Sequence, residues 1–375
     1  MVAFNRSLYI HWPYCQVKCP YCDFNVHLTK AQVDEQVWLK ALLRDLDQQL
    51  EGLALPALET LYFGGGTPSL LSPHTLAALI NGVAKRWGFA GDIDISLEVH
   101  PTSADAAKFA DFRKAGANRA SLGVQSFDVD DLAFLGRNHS REEAIQAVQT
   151  ARRHFDKLSL DLMAALPGHS LVHQQDQIAQ ALDLQVDHLS LYHLSIEPGT
   201  AFAAAVRRGD WQPMEADQAA DFYEAAVEQV ARAGFVHYEV SNFAKPGFES
   251  RHSLLGWQGQ GYVGIGPGAE GRVFKNDTWY HRRTRRNPKA YLETPLEIDA
   301  PLPTEERLIE QLIFGLRLTK GLPKEAPAWV LTQPERIETL IKHGDLAHTD
   351  GHLHATAQGR LRLDALSDYL INYER

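Results

Sequence analysis

The chain has three cysteines, and all of them fall within eight residues: Cys15, Cys19 and Cys22, in the stretch YIHWPYCQVKCPYCDFN. Three thiols cannot all pair within one molecule, so the cluster reads as a metal site rather than a disulfide framework. C-x3-C-x2-C puts three soft thiolates on one tight loop, a donor set suited to an iron–sulfur cluster. A [4Fe–4S] cube held by three cysteines keeps one iron open, the kind of position a catalytic metal site retains and a structural site closes. The alternative is a zinc loop completed by His11 or His27, although no second C-x2-C pair accompanies it. Trp12, Pro13, Tyr14, Pro20, Tyr21 and Phe24 surround the thiols with apolar rings that would keep a cluster dry.

The elements that must position this loop follow from hydrophobic periodicity. Strands are predicted at Ser7–Trp12, Thr60–Phe63, Ile93–Val99, Arg119–Val124, Leu158–Met163 and His188–Leu194. Amphipathic helices alternate with them. One has a stripe of Val33, Val37, Leu42, Leu43, Leu46 and Leu50. Another opens with Ser72 as N-cap and Pro73 in the first turn. A third, over 104–115, is stopped by Gly116. Six βα units with right-handed crossovers imply an α/β fold, an incomplete (β/α)6 TIM-like barrel.

Several polar residues lie where such a barrel builds its site, at the C-terminal ends of strands. The glycines of GGGTPS (64–69) expose backbone groups to a close ligand. Glu98 ends the third strand, Gln125 follows the fourth, Arg137 lies in the loop beyond it, and Asp161 is on the fifth. Each alone is more simply a rim group bonding its own loop; their common placement is what joins them. Carboxylates suit ribose hydroxyls or an amino group, and Arg137 suits a carboxylate as a bidentate fork.

Residues 196–300 look less regular, with a helix near 216–233, a strand near 237–241 and the glycine-rich run GWQGQGYVGIGPGAEG. Residues 301–375 read as a small α+β domain of winged-helix type. It has helices near 304–318, 334–343 and 357–370, and a hairpin turning at Asp350-Gly351. Acidic residues slightly outnumber basic ones there, which favours a packing or lid role over nucleic-acid binding. A net charge of -10 argues the same way for the whole chain. No apolar run is long enough for a membrane span, and the opening residues lack a signal-peptide core, so a cytoplasmic protein is expected.

C-x3-C-x2-C with Tyr21 beside its last cysteine resembles the radical S-adenosylmethionine (SAM) superfamily. The resemblance implies that Cys15, Cys19 and Cys22 ligate a [4Fe–4S] cluster and that SAM chelates the open iron. It also matches Tyr9, Gly65, Gly66, Thr67, Glu98, Gln125, Arg137 and Asp161 to SAM-contacting positions. Within the superfamily, YIHWPYC, FGGGTPSLL, SLGVQSF, DLMAALPG and YVGIGPGAEG are similar to the group of oxygen-independent coproporphyrinogen III oxidases and the related haem chaperones. The oxidases have a fourth cysteine where this chain has Phe24, and a longer segment ahead of the cysteines. Both differences point to the haem-chaperone branch, in which oxidase activity is not expected. That branch implies haem as a further ligand, a haem-accepting protein as partner and an electron donor such as a flavodoxin or ferredoxin.

The haem motif of that branch, H-N-x-x-Y-W, resembles HSLLGW at 252–257. His252 and Trp257 match; Ser253 and Gly256 stand where the motif has Asn and Tyr. His252 is the candidate haem ligand. The arginine run HRRTRRNPK (281–289) is a candidate for haem propionates or an acidic partner. The resemblance divides the chain into a radical-SAM core (1–240), a connecting region with the haem motif (241–300) and a small C-terminal domain (301–375). The alternatives are a radical-SAM oxidase acting on a porphyrinogen and, ranked lower, a nucleic-acid-binding module.

Overall fold

A computed structural model describes residues 5–29, 33–103 and 106–371. Strands β1 (Asn5–Trp12), β2 (Leu58–Gly65), β3 (Phe89–Val99), β4 (Arg119–Gln125), β5 (Lys157–Ala164) and β6 (His188–His193) lie side by side in that order, all parallel. Helices α1 (Glu35–Leu50), α2 (Pro73–Trp87), α3 (Ala106–Ala115), α4 (Val129–Phe134), α5 (Arg141–His154) and α6 (Leu171–Asp183) fill the crossovers. These are the six expected βα units. The predicted start of the third helix, at 104–105, lies outside the described residues. Ser72 caps α2 by accepting from the Thr75 amide, with Pro73 in the first turn.

The stretch read as less regular completes the sheet. After helix α7 (Ala216–Arg232), β7 (Val236–Glu239) and β8 (Asn242–Ala244) add antiparallel beyond β6. Helix α8 (Arg251–Trp257) leads to β9 (Gly261–Ile265), which pairs with the other side of β1 in parallel. Strands β10 (Glu270–Lys275), β11 (Thr278–Thr284) and β12 (Leu296–Pro301) continue outward from β9, antiparallel. The result is one twelve-stranded sheet with two edges, a curved and open barrel.

The glycine-rich run, read only as part of a less regular region, therefore supplies a seventh parallel strand and its exit. Its glycines are there for close backbone packing. A Cβ on Gly264 would lie 2.0 Å from the Glu270 carbonyl oxygen, and one on Gly266 2.2 Å from that of His11.

Helix α1 presents Trp38, Ala41, Leu42, Asp45, Leu46 and Gln49 to the core, while Val37 is 45% exposed. The buried face is thus rotated from the all-apolar stripe because it carries two polar anchors. Asp45 accepts the Tyr291 hydroxyl (2.6 Å) and the Gly266 amide (3.2 Å), fastening the glycine run to the barrel.

Helices α9 (Thr304–Arg317), α10 (Pro334–Lys342) and α11 (Leu363–Ile371) pack with strands β13 (Leu322–Pro323), β14 (Leu346–Thr349) and β15 (His352–Ala355) around a separate leucine core. The expected hairpin is β14–β15. The last predicted helix is split into Ala357–Arg360 and α11. Arg317 reaches the fully buried Glu239 (3.4 Å), and Thr319 donates to the His237 carbonyl (2.9 Å), joining this module to β7. Among the described residues, no helix is long and apolar enough to cross a membrane.

Candidate functional site

The cysteine loop leaves the end of β1 and is clasped by its own backbone. Tyr14–Cys15 pairs in parallel with His27–Leu28. The His27 amide donates to the Pro13 carbonyl (2.7 Å) and the Thr29 amide to that of Cys15 (3.2 Å). The glycine turn after β2 is laced to the same loop. Gly66 N–H donates to the Trp12 carbonyl (2.7 Å) and Thr67 N–H to that of Tyr14 (2.8 Å). Only glycine fits at 65 and 66. Gly65 has φ +109°, and a Cβ on Gly66 would lie 2.4 Å from the Tyr14 oxygen.

Above the strand ends is a cavity of ≈370 Å³. Cys15, Cys19 and Cys22 line one wall; Gly65, Gly66, Thr67, Glu98, Gln125, Arg137 and Asp161 line the rest. Alternation along parallel strands sends Glu98 and Asp161 to the same interior face, and the tight ends of β2 and β4 aim backbone at the space between. Gln125 has φ +69°, an unusual conformation for a side-chain-bearing residue, at a register shift between β4 and β5.

The polar groups here are held but not neutralised. Glu98 accepts the Tyr62 hydroxyl (2.9 Å) and the Gly65 amide (3.1 Å); Asp161 accepts the Ser121 hydroxyl (3.3 Å). Burial pushes Glu98 up to about 7 and Asp161 up to about 6, and each lacks an ion-pair partner among the salt bridges seen in the described residues. Arg137 donates to the Gly123 carbonyl (2.6 Å) and approaches Cys19 Sγ (3.4 Å), while its buried Nε has no partner. Burial, helped by the neighbouring thiols, raises Cys15 to about 11, so a bound metal has to displace its proton.

As they stand, the thiols are not gathered as the ligands of one zinc ion are. Zinc ligands near 2.3 Å from the metal sit about 3.8 Å apart. Among the described residues, the cysteine sulfurs, alone or with His11 or His27, do not bring three ligand atoms within 4.8 Å of one another. His11 instead bonds the Asn25 carbonyl (2.9 Å) and the Tyr9 hydroxyl (3.0 Å). A cluster that gives each thiolate its own iron fits the wider spacing. The unpaired carboxylates and the orphaned Arg137 Nε fit a ligand with amino, ribose and carboxylate groups.

Two candidates lie outside this cavity. Tyr9 is one layer deeper, beside Tyr62 (ring centroids 6.1 Å). His252, on α8, is deeper still: it bonds Thr60 Oγ1 (2.9 Å), stacks on Tyr62 (4.9 Å), and burial pushes it down to about 4. Helix α8 closes the N-terminal ends of the strands. At its other end Trp257 packs edge-on against Phe314 (5.5 Å), under the Arg317 guanidinium (4.5 Å), with its buried Nε1 unpartnered. The arginine run is largely structural: Arg282 is buried against Asp299 (2.9 Å) and the Gln49 carbonyl (2.5 Å), and Arg283 pairs with Glu297 (3.2 Å).

Sequence reasoning did not single out Tyr62, Tyr192, His193 or Met163. Tyr62 supports Glu98, and the other three line the cavity. Tyr62 was detectable, since it lies two residues from Thr60 on the inward face and pairs in register with Tyr9.

Residues 9–176 match the model of the radical SAM superfamily, and residues 302–362 that of the HemN C-terminal domain. The chain is 35% identical to the heme chaperone HemW of Escherichia coli, covering 97% of this chain and 98% of that protein. It is 33% identical to the heme chaperone HemW of Bacillus subtilis, covering 95% and 96%. It is 37% identical to the mitochondrial radical S-adenosyl methionine domain-containing protein 1 of Bos taurus, covering 88% and 77%. In fold it matches coproporphyrinogen III oxidase (HemN) from Escherichia coli with a TM-score of 0.81 at 21% identity, covering 99% and 91%.

Proposed function

From the premise that this chain belongs to the HemW family of the radical SAM superfamily, we propose that it is a haem chaperone whose barrel end holds a [4Fe–4S] cluster and SAM. The observation that carries the reading is the single cavity joining three thiols, two ion-pair-free carboxylates and an arginine with an orphaned donor. Cys15, Cys19 and Cys22 would ligate three irons. When bound, the cluster supplies one electron at a time to SAM. Arg137 would clamp the SAM carboxylate, Glu98 and Asp161 would take its amino and ribose groups, and the Gly65–Thr67 backbone would line its methionyl arm. Gln125 would contact the adenosyl part, and Tyr9 acts from below by filling the layer under Glu98. Burial keeps His100 and His139 neutral beside Arg137, so they do not compete for a carboxylate.

Haem would be held at the other end. His252 and Trp257 face opposite neighbours, His252 the barrel and Trp257 the small domain. A cavity of ≈500 Å³ opens directly after them, lined by Gln258, Trp279 and Arg307 among others, with Arg307 stacked on Trp279 (4.0 Å). Ligation by His252 requires α8 to lift from the barrel, exchanging the Thr60 bond for iron. The core, connecting region and small domain would divide near residues 240 and 300. The partners are a haem-accepting protein and a one-electron donor of flavodoxin or ferredoxin type, in the cytoplasm.

A haem titration of anaerobically reconstituted protein tests this. A saturable Soret band that weakens in His252→Ala supports the chaperone and its ligand. Turnover of a porphyrinogen with release of 5′-deoxyadenosine, and no retained haem, would favour the oxidase instead. Phe24, 57% exposed on the cavity wall where the oxidases have a fourth cysteine, argues for the first outcome.

A further inference from the structure

Outside the cysteine cavity, a second set of metal-type ligands converges from three segments. Asp131 is on α4. His169 directly precedes Ser170, the N-cap of α6, and His173 is in that helix's first turn. Both imidazoles aim Nε2 at one carboxylate: His169 at Asp131 Oδ1 (2.7 Å) and His173 at Oδ2 (3.2 Å). The rings are 4.3 Å apart. Ser126 donates to Asp131 Oδ2 (2.7 Å) and holds the carboxylate in place. Among the described residues, this is the only group that brings three such ligand atoms within 4.8 Å of one another. The side chains are 10–31% exposed, shielded yet reachable.

The two rings are tilted by 49° and both present Nε2 to the same carboxylate. Two neutral imidazoles with a carboxylate are the ligands of a divalent ion.

We propose that Asp131, His169 and His173 form a second metal site, which takes a divalent first-row transition ion of the zinc class. Two nitrogens and one oxygen suit such an ion, whereas calcium and magnesium call for mostly oxygen ligands. The His173–Asp131 spacing is already close to the roughly 3.3 Å between tetrahedral ligands of zinc, and the His169 contact has only to open slightly. The three protein ligands leave a position for water. The ion would fasten α4 to the loop after β5. The segment after α4 runs on through Gly136, packed on Pro20, to Arg137 at Cys19.

The test is equilibrium dialysis of the full chain, with its cysteines occupied by the reconstituted cluster, against Zn2+ and separately Co2+. The expected result is one ion per chain beyond the cluster iron. Cobalt should give visible d–d bands without thiolate charge transfer. His169→Ala/His173→Ala should weaken binding by more than about a hundredfold, since even outer-shell losses cost ten- to a hundredfold. His173→Gln can keep a bond to Asp131 but is a poor ligand; it should lose the ion while keeping the metal-free melting point. Absence of a second ion, binding unchanged in the variants, or a cobalt–thiolate spectrum would overturn the site.

Discussion

The two ends of the barrel are built from the same parallel strands and differ in how their charges are settled. At the N-terminal end, Asp94 and Arg119, both 2% exposed, pair at 3.3 Å, with Lys157 adding a contact at 3.1 Å. Arg119 also holds the carbonyls of Phe248 and Glu249 (3.0 and 2.8 Å), the segment that leads into α8. His188 is bonded on both nitrogens, to Ser159 and Tyr238 (2.7 Å each). At the C-terminal end, Glu98 and Asp161 have no counter-charge and Arg137 has a spare donor. Each end has one arginine nitrogen without a partner, Arg119 Nη1 and Arg137 Nε, so the difference lies in the carboxylates: Asp94 is paired, whereas Glu98 and Asp161 are not. Charge left unsettled in a cleft is what distinguishes a site from a plug.

The sharpest way to break this contrast is Cys19→Ser at the open end. Reconstituted iron should fall from about four per chain to almost none, while the circular dichroism spectrum is retained. At the closed end, Arg119→Met leaves the buried Asp94 carboxylate with Lys157 as its one remaining cation. It should cost about 3 kcal/mol in urea unfolding yet leave iron content unchanged.

Glu98→Gln should do the reverse of Arg119→Met. Its folded pKa of about 7 exceeds the ordinary 4.5, so the stability that goes with its protonated form is present below pH 4.5 and lost as pH rises through 7. The variant should therefore stabilise the SAM-free protein by ~2 kcal/mol at pH 8 and hardly at all at pH 4.5, while weakening SAM binding. Unfolding curves at the two pH values, with SAM calorimetry, check both parts. The smallest effect belongs to neither end: Ser72→Ala removes the α2 cap and should cost ~1 kcal/mol, with SAM and haem affinities unchanged.

Much of the open end was legible because local rules produce it. Glycine turns, strand ends and a tight cysteine loop all sit next to strands whose period is plain, and a parallel sheet carries every strand end to one side. The closed end was not legible, because what fixes it is tertiary. His252 is inside because α8 folds across strands nearly 200 residues away in sequence, at Thr60. The glycine-rich run became a strand through close backbone contact with His11 and Glu270, which no residue pattern announces. Val37 faces solvent because Asp45 and Gln49 belong to the buried face of α1, a face that a hydrophobic stripe misplaces. Arg282, a candidate for haem propionates or an acidic partner, is an internal clamp, since its partners Asp299 and Gln49 come from other elements. Asp131, His169 and His173 meet only through the packing of α4 on the loop after β5.

The central claim is that the open end binds a cluster with one iron free for SAM. Electron paramagnetic resonance of the dithionite-reduced, reconstituted protein, recorded with and without SAM, tests it most directly. The account predicts a cluster signal whose g-values shift when SAM is added, and a diminished shift in Arg137→Ala. A signal identical with and without SAM would contradict it.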